Sequence, residues 1–384
     1  MTTSNSVPAE SGAKGSAGIL RSEYPLLIGL GSAATFLLLG DWVVENIGHP
    51  VAFAVTLIWL VAAVLWSSIS VVRHADALAI KFGEPYGTLI LTLSAIAIEA
   101  VMISAAMLHG VNNPTLARDM MFAVVMIALN GLIGLSLLLG ALRHHEQHYN
   151  FQGTSAYLNT IMTLAVLGLV LPNFTTSMSG PNLSRVQEVF LVVTALSLYV
   201  VFLLLQTKRH SGYFVEPEAI AESAAVGHHQ HPPIRSTTYH VVLLFLYLLV
   251  VVILAEKFAI PLDNAVERFG VPQAFAGAIV AALVLAPEAL GGVAAAMRNQ
   301  LQRSVNVLQG SVLASIGLTI PTVLVIGMIT HRPVTLGIEG GNLPLLILTL
   351  AASVVTFGSG NTSALQGCIH LLLFAVFLLL IFCP

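Results

Sequence analysis

The sequence predicts an all-α polytopic membrane protein of about eleven transmembrane helices, and three observations predict it. Of 384 residues, 57 % are hydrophobic and only 9 % charged, with a mean hydropathy of +0.90; soluble domains carry about 25 % charged residues. Apolar runs of the roughly 17–25 residues needed to cross a bilayer recur along the chain. Lysine and arginine fall unevenly on alternate connecting segments, the bias that orients membrane helices.

Residues 1–23 are rich in Ser, Gly, Ala and Thr and lack an apolar core, so they read as a disordered cytoplasmic tail and not as a signal peptide. The expected spans are 24–40, 50–72, 86–108, 120–142, 156–172, 187–206, 240–256, 274–297, 305–328, 343–357 and 363–382. With the amino terminus inside, the cytoplasmic segments hold Lys14, Arg21, Arg73, Lys81, Arg143, Lys208, Arg209, Arg235, Arg298 and Arg303. The other side holds Arg118, Arg185, Lys257, Arg268 and Arg332, so a cytoplasmic amino terminus is expected.

Setting the first span aside leaves five on each side of a polar loop. The domain reading is a tail at 1–23, a first helix and external loop at 24–49, a five-helix repeat at 50–206, a cytoplasmic linker at 207–239 and a second repeat at 240–384. Span two then enters from outside and span seven from inside, so the halves are antiparallel, as an inverted-topology repeat requires. The linker, with Glu216, Glu218, Glu222, His228, His229 and His231, reads as a flexible connection; weak metal or pH sensing is its second reading. His144 and His148 share a face if their helix continues.

The chemistry centres on a phrase that occurs twice, Ala97-Ile98-Glu99-Ala100 and Ala286-Pro287-Glu288-Ala289, each inside a long apolar run. A carboxylate at mid-bilayer costs about 2.5–3.5 kcal/mol on insertion scales, so such residues are rare and usually functional. Matching copies in opposite halves point to a cation site at a repeat interface. Candidate oxygen ligands are Glu99 and Glu288 with Thr92, seven residues before Glu99 and on the same helical face, Asn130 in span four, and Ser311 and Ser315 in span nine. Ser304, Ser311, Ser315 and Thr319 form a polar stripe beside Gln309 and Gly310, expected to face Glu288. Gly131 and Gly134 permit close helix approach. Pro287 lacks an N–H and frees a carbonyl beside Glu288.

Gating or sensing candidates are His74, Asp76 and Glu84 at the cytoplasmic mouth of span three, with ordinary loop charges as the plainer reading. His370 in the last span is either a proton relay or a satisfied interhelical hydrogen bond. Buried carboxylates that bind either a cation or protons provide the basis for cation/proton exchange. Two buried acids are also compatible with an intramembrane hydrolase or a passive cation channel. No nucleotide-binding motif appears, and no basic cluster resembles a nucleic-acid site. Cys368 and Cys383 lie about 22 Å apart on one helix at 1.5 Å per residue, too far to bridge.

The phrase Arg73-His74-Ala75-Asp76 through Gly83-Glu84-Pro85-Tyr86-Gly87, the run at Glu99, and Pro287-Glu288 leading to Gly310-Ser311-Val312-Leu313-Ala314 resemble the bacterial ChaA-type antiporters of the calcium/cation exchanger superfamily. The resemblance covers nearly all of residues 50–384. It implies one extra helix plus two inverted five-helix repeats in a bacterial inner membrane. It also implies a secondary transporter, with no enzymatic activity and no cofactor, that exports calcium, sodium or potassium against protons. The essential acids of its two repeats map onto Glu99 and Glu288. The family's Gly-Asn-Ala phrase is altered: Ile96 and Leu285 stand at the asparagine positions, which removes two amide oxygens and leaves room for sodium or potassium.

Overall fold

A computed structural model describes residues 23–46, 48–82, 86–109, 114–215, 235–270 and 272–383. The chain is helical along almost all of this length. Among the described residues, eight helices are long and apolar enough to cross a membrane, and three shorter apolar stretches complete the expected eleven. They are α1 (Tyr24–Leu38), α2 (Pro50–Phe82), α3 (Tyr86–His109), α4 (Leu116–His144), α5 (Phe151–Phe174), α6 (Arg185–Arg209), α7 (Thr237–Phe269), α8 (Gln273–Met297), α9 (Leu301–Thr330), α10 (Asn342–Thr356) and α11 (Ala364–Phe382). A short helical stretch, Gly40–Asn46, follows α1.

Large apolar side chains cover the outside: Leu38, Val186 and Val355 are each about four-fifths exposed (82 %, 79 % and 79 %). Water would penalise that surface, whereas lipid does not. Backbone polar groups are satisfied within the helices, the condition for crossing hydrocarbon.

The helices α2 and α7 pack along one another, and α4 lies between α8 and α11. Glycine sets the second contact. A Cβ on Gly367 would fall 2.6 Å from the backbone nitrogen of Leu138, and one on Gly134 would lie 3.0 Å from Leu371 nitrogen. The backbones of α4 and α11 therefore meet with no side chain between them, as small residues allow in membranes. A two-residue antiparallel strand pair, β1 (Gln147–His148) with β2 (Asn361–Thr362), ties the end of α4 to the start of α11.

Several local expectations change. Helix α2 runs to Phe82, ten residues past the predicted span, so His74 and Asp76 stand on its last turns and not in a loop. Helix α4 stops at His144, with His145 at φ 62°, and His148 belongs to β1, so the two histidines share no helix face. Glu84 and the linker histidines lie outside the described residues. Both cysteines are free and exposed on or just beyond α11.

Among the described residues, four helices contain a wide π-type turn, at Met126–Leu132 in α4, Val166–Val170 in α5, Leu205–Arg209 in α6 and Ser315–Thr319 in α9. Such turns re-aim side chains and are frequent at functional sites. The turn in α9 opens at Ser315, one of the candidate ligands.

Candidate cation site

Glu99 sits mid-way along α3 and is 3 % exposed. The Ser315 hydroxyl, from the other half of the chain, donates a 2.5 Å hydrogen bond to its Oε2. Thr319, one turn further on α9, stands beside the same carboxylate but outside hydrogen-bond geometry. Glu99 Oε1 is buried without a hydrogen-bond partner. The serine stripe thus meets the acid of the opposite half, where sequence order suggested Glu288.

Glu288 projects from α8 directly after Pro287. The missing proline N–H leaves the Leu283 carbonyl without its helical donor. Glu288 Oε2 is buried and also unpartnered. Both carboxylates, with Ser311 and Ser315, line one cavity of about 330 Å³, and each acid lies within electrostatic range of the other. The cavity extends past Tyr157, Tyr199 and Phe202 to Gln206, Ser211 and Phe214, at the end of α6 where the linker begins. Arg303 and Asn306 of α9 also border it. Asp76 is exposed on α2 and lies within electrostatic range of both Glu288 and Arg303.

Two carboxylates, each with one buried and unpartnered oxygen, and two hydroxyls offer the cavity a set of oxygen donors, which suits hard cations. A cation at these oxygens would favour the ionised acids, and two close like charges without one favour protons, so the arrangement can take either at the same oxygens.

The remaining candidates separate from this cavity. Asn130 is fully buried and does not line it; its amide donates to Thr349 Oγ1 at 2.8 Å, and its Oδ1 lies 3.0 Å from His370 Nδ1. His370 Nε2 meets Thr356 Oγ1 at 3.0 Å. These four groups satisfy one another and join α4, α10 and α11. The Thr92 side chain lies outside what is described. His74 is buried in a separate cluster with Glu23, Arg73 and His240. Gln309, just before Gly310, is fully buried with neither amide atom bonded.

Sequence reasoning missed the aromatic wall, Arg303 and Glu23. The wall comes from α5 and α6, whose aromatic residues read as ordinary core in an apolar run. Glu23 reads as tail, but its partners lie 50 or more positions away, and nothing local signals them.

The sodium/calcium exchanger protein family matches residues 52–208 and 239–383, nearly the whole helical part of the chain. The chain belongs to this family. It is a multi-pass cation exchanger, a secondary transporter and not an enzyme. Among similar members, a Sinorhizobium fredii protein named as an ionic transporter, y4hA, is 43 % identical over 80 % of this chain and 83 % of its own length. The sodium-potassium/proton antiporter ChaA of Escherichia coli is 38 % identical over 87 % of this chain and 90 % of its own. The structure of native YfkE has the same fold, with a TM-score of 0.70 at 18 % identity, covering 94 % of this chain and all of that one. The H+/Ca2+ exchanger CAX follows with a TM-score of 0.64 at 16 % identity, over 94 % of this chain and 88 % of that one. The two matched segments fall on either side of the linker, and each contains one of the two cavity acids.

Proposed function

We propose that this exchanger is a secondary antiporter of a bacterial inner membrane that exports a cytoplasmic cation, calcium or else sodium or potassium, in return for external protons. Glu99 and Glu288 are the shared cation and proton site, with Ser311 and Ser315 completing the oxygen set. One observation carries this reading: acids from different halves of the chain face one cavity, and each keeps a buried oxygen with no partner. The names of relatives support the ion classes, since ChaA is a sodium-potassium/proton antiporter and two cyanobacterial relatives are Ca(2+)/H(+) antiporters.

The domain scheme is a tail (1–23), an extra helix, and two inverted five-helix repeats (50–206 and 240–384) around a cytoplasmic linker. The late part of α2 meets the early part of α7, at His74 and His240, so these two repeat-opening helices run antiparallel, in keeping with inversion. With the amino terminus cytoplasmic, the cavity reaches the cytoplasm. The cation loads there as the acids release protons, and alternating access carries it outward, where protons displace it.

The test is proton flux in everted vesicles on adding calcium, sodium or potassium across a range of pH. Cation-driven flux that saturates and reverses with an imposed pH gradient is expected. Flux that neither saturates nor couples to protons would make the protein a channel.

A further inference from the structure

A second titratable cluster lies on the linker side, outside the cavity. Glu23, at the start of α1, is 7 % exposed. Its carboxylate accepts hydrogen bonds from Tyr239 (2.6 Å) and Tyr247 (2.9 Å) of α7 and from Arg73 of α2 (2.6 Å). His74 Nε2 lies 3.4 Å from Glu23 Oε2, and its Nδ1 lies 3.0 Å from Nδ1 of His240. The Tyr247 ring stacks on His74 at 5.6 Å. Three helices from three parts of the chain are thus joined at one carboxylate and one imidazole pair.

A hydrogen bond between two Nδ1 atoms needs one proton on one of them. One added proton keeps the imidazole pair joined: a charged His74 donates from Nε2 to Glu23 and from Nδ1 to His240, and gives up only the 3.3 Å contact between Arg73 Nη2 and a bare Nε2, while Arg73 keeps its bond to Glu23. A second added proton does not, because two N–H groups would then face each other across 3.0 Å. The charged groups facing the pair, among the described residues, are Glu23 from α1, Arg73 and Lys81 from α2, and Arg235 beside the start of α7. One carboxylate against three cations resists the second proton, so the pair separates only in acid.

We propose that His74 and His240 form a second proton-binding site, which clamps α1 to the linker-side ends of α2 and α7 and releases them when acid charges both imidazoles. The closed clamp coexists here with a cavity that reaches the linker side. Its release therefore weakens the form that loads a cation from that side. The effect on transport rests on the antiporter reading above.

The experiment uses the full-length protein in oriented proteoliposomes, with linker-side pH varied from about 7 to about 4, spanning values below the ordinary histidine range, and calcium, sodium or potassium as the driving ion. Protons competing at Glu99 and Glu288 raise the half-saturating cation concentration, which excess cation overcomes. Clamp release instead lowers the maximal rate, by about threefold or more, in acid below the ordinary histidine value of about 6.5, because three cations face the pair against one carboxylate. His240→Asn, which can keep one hydrogen bond but does not titrate, is expected to abolish the fall in maximal rate and keep the competition. Should His240→Asn not assemble, His240→Gln serves the same purpose. Thermal melting gives a readout independent of transport: acid should lower the midpoint of wild type more than that of the variant. A fall in maximal rate or melting that is the same in wild type and variant would overturn the clamp. Absence of any cation-driven flux in wild type would count against the antiporter reading, while melting would still decide the clamp.

Discussion

Removing the Ser315 hydroxyl is the most discriminating single substitution at the cavity. In Ser315→Ala, Glu99 loses its 2.5 Å hydrogen bond, and a cation loses a neighbouring oxygen. Hydrogen bonds to charged groups contribute about 1.5–3 kcal/mol. Since 1.4 kcal/mol is tenfold in an equilibrium constant, the half-saturating cation concentration should rise by about tenfold or more. The maximal rate should change much less, because both carboxylates remain. Ser315→Thr retains a hydroxyl and should recover most of the loss. The assay is initial proton flux in everted vesicles against cation concentration at fixed pH. A Ser315→Ala protein with wild-type concentration dependence would refute the reasoning, because Glu99 would then bind its ion without help from α9.

Other outcomes follow from the same geometry. Asn130→Ala should lower thermal stability by about 1–3 kcal/mol by stranding Thr349 and His370, yet leave cation dependence of the surviving protein unchanged; melting and flux measured together separate the two effects. Gly367→Val should force α4 and α11 apart at a cost of about 1–3 kcal/mol or more, read as a lower melting midpoint, because even a Cβ would meet the Leu138 nitrogen at 2.6 Å. Glu23→Gln should destabilise by about 1–3 kcal/mol at neutral pH, since an amide cannot serve all three donors. Burial pushes the Glu23 carboxyl up, but the hydrogen bonds from Tyr239 and Tyr247 and the Arg73 and His74 charges outweigh it and hold it below the usual range. A depressed folded value means this stabilisation is fully present above about pH 4.3 and is lost as pH falls through the lower folded value. Melting of wild type against Glu23→Gln should therefore differ by a constant amount from pH 8 to 5 and converge only in stronger acid.

The fold class was legible because the bilayer imposes a simple rule: about twenty apolar residues per crossing, with charges kept to the ends. All eleven runs became helices. Their ends were less legible. Helix α2 continues beyond the apolar run because its last turns pack against α7, so Arg73 and His74 are held by tertiary partners. Glu99 and Glu288 were visible because a buried charge is costly wherever it occurs. Asn130 and His370 were visible for the same reason, but polarity alone does not say whether a partner is an ion or a neighbour; here Thr349 and Thr356 complete the set. Ser315 was found as a stripe member, but the acid it serves depends on how α9 crosses α3, which periodicity does not encode. Glu23 was invisible, since its partners come from two distant helices.

The central claim is that one pair of acids holds either a cation or protons. Proton release from purified protein in weak buffer, on adding saturating calcium, sodium or potassium, tests it most directly. Wild type is expected to release protons in proportion to the cation bound, and Glu99→Gln/Glu288→Gln to bind none and release none. Undiminished proton release from that double variant would contradict the account, because the exchanging groups would then lie elsewhere.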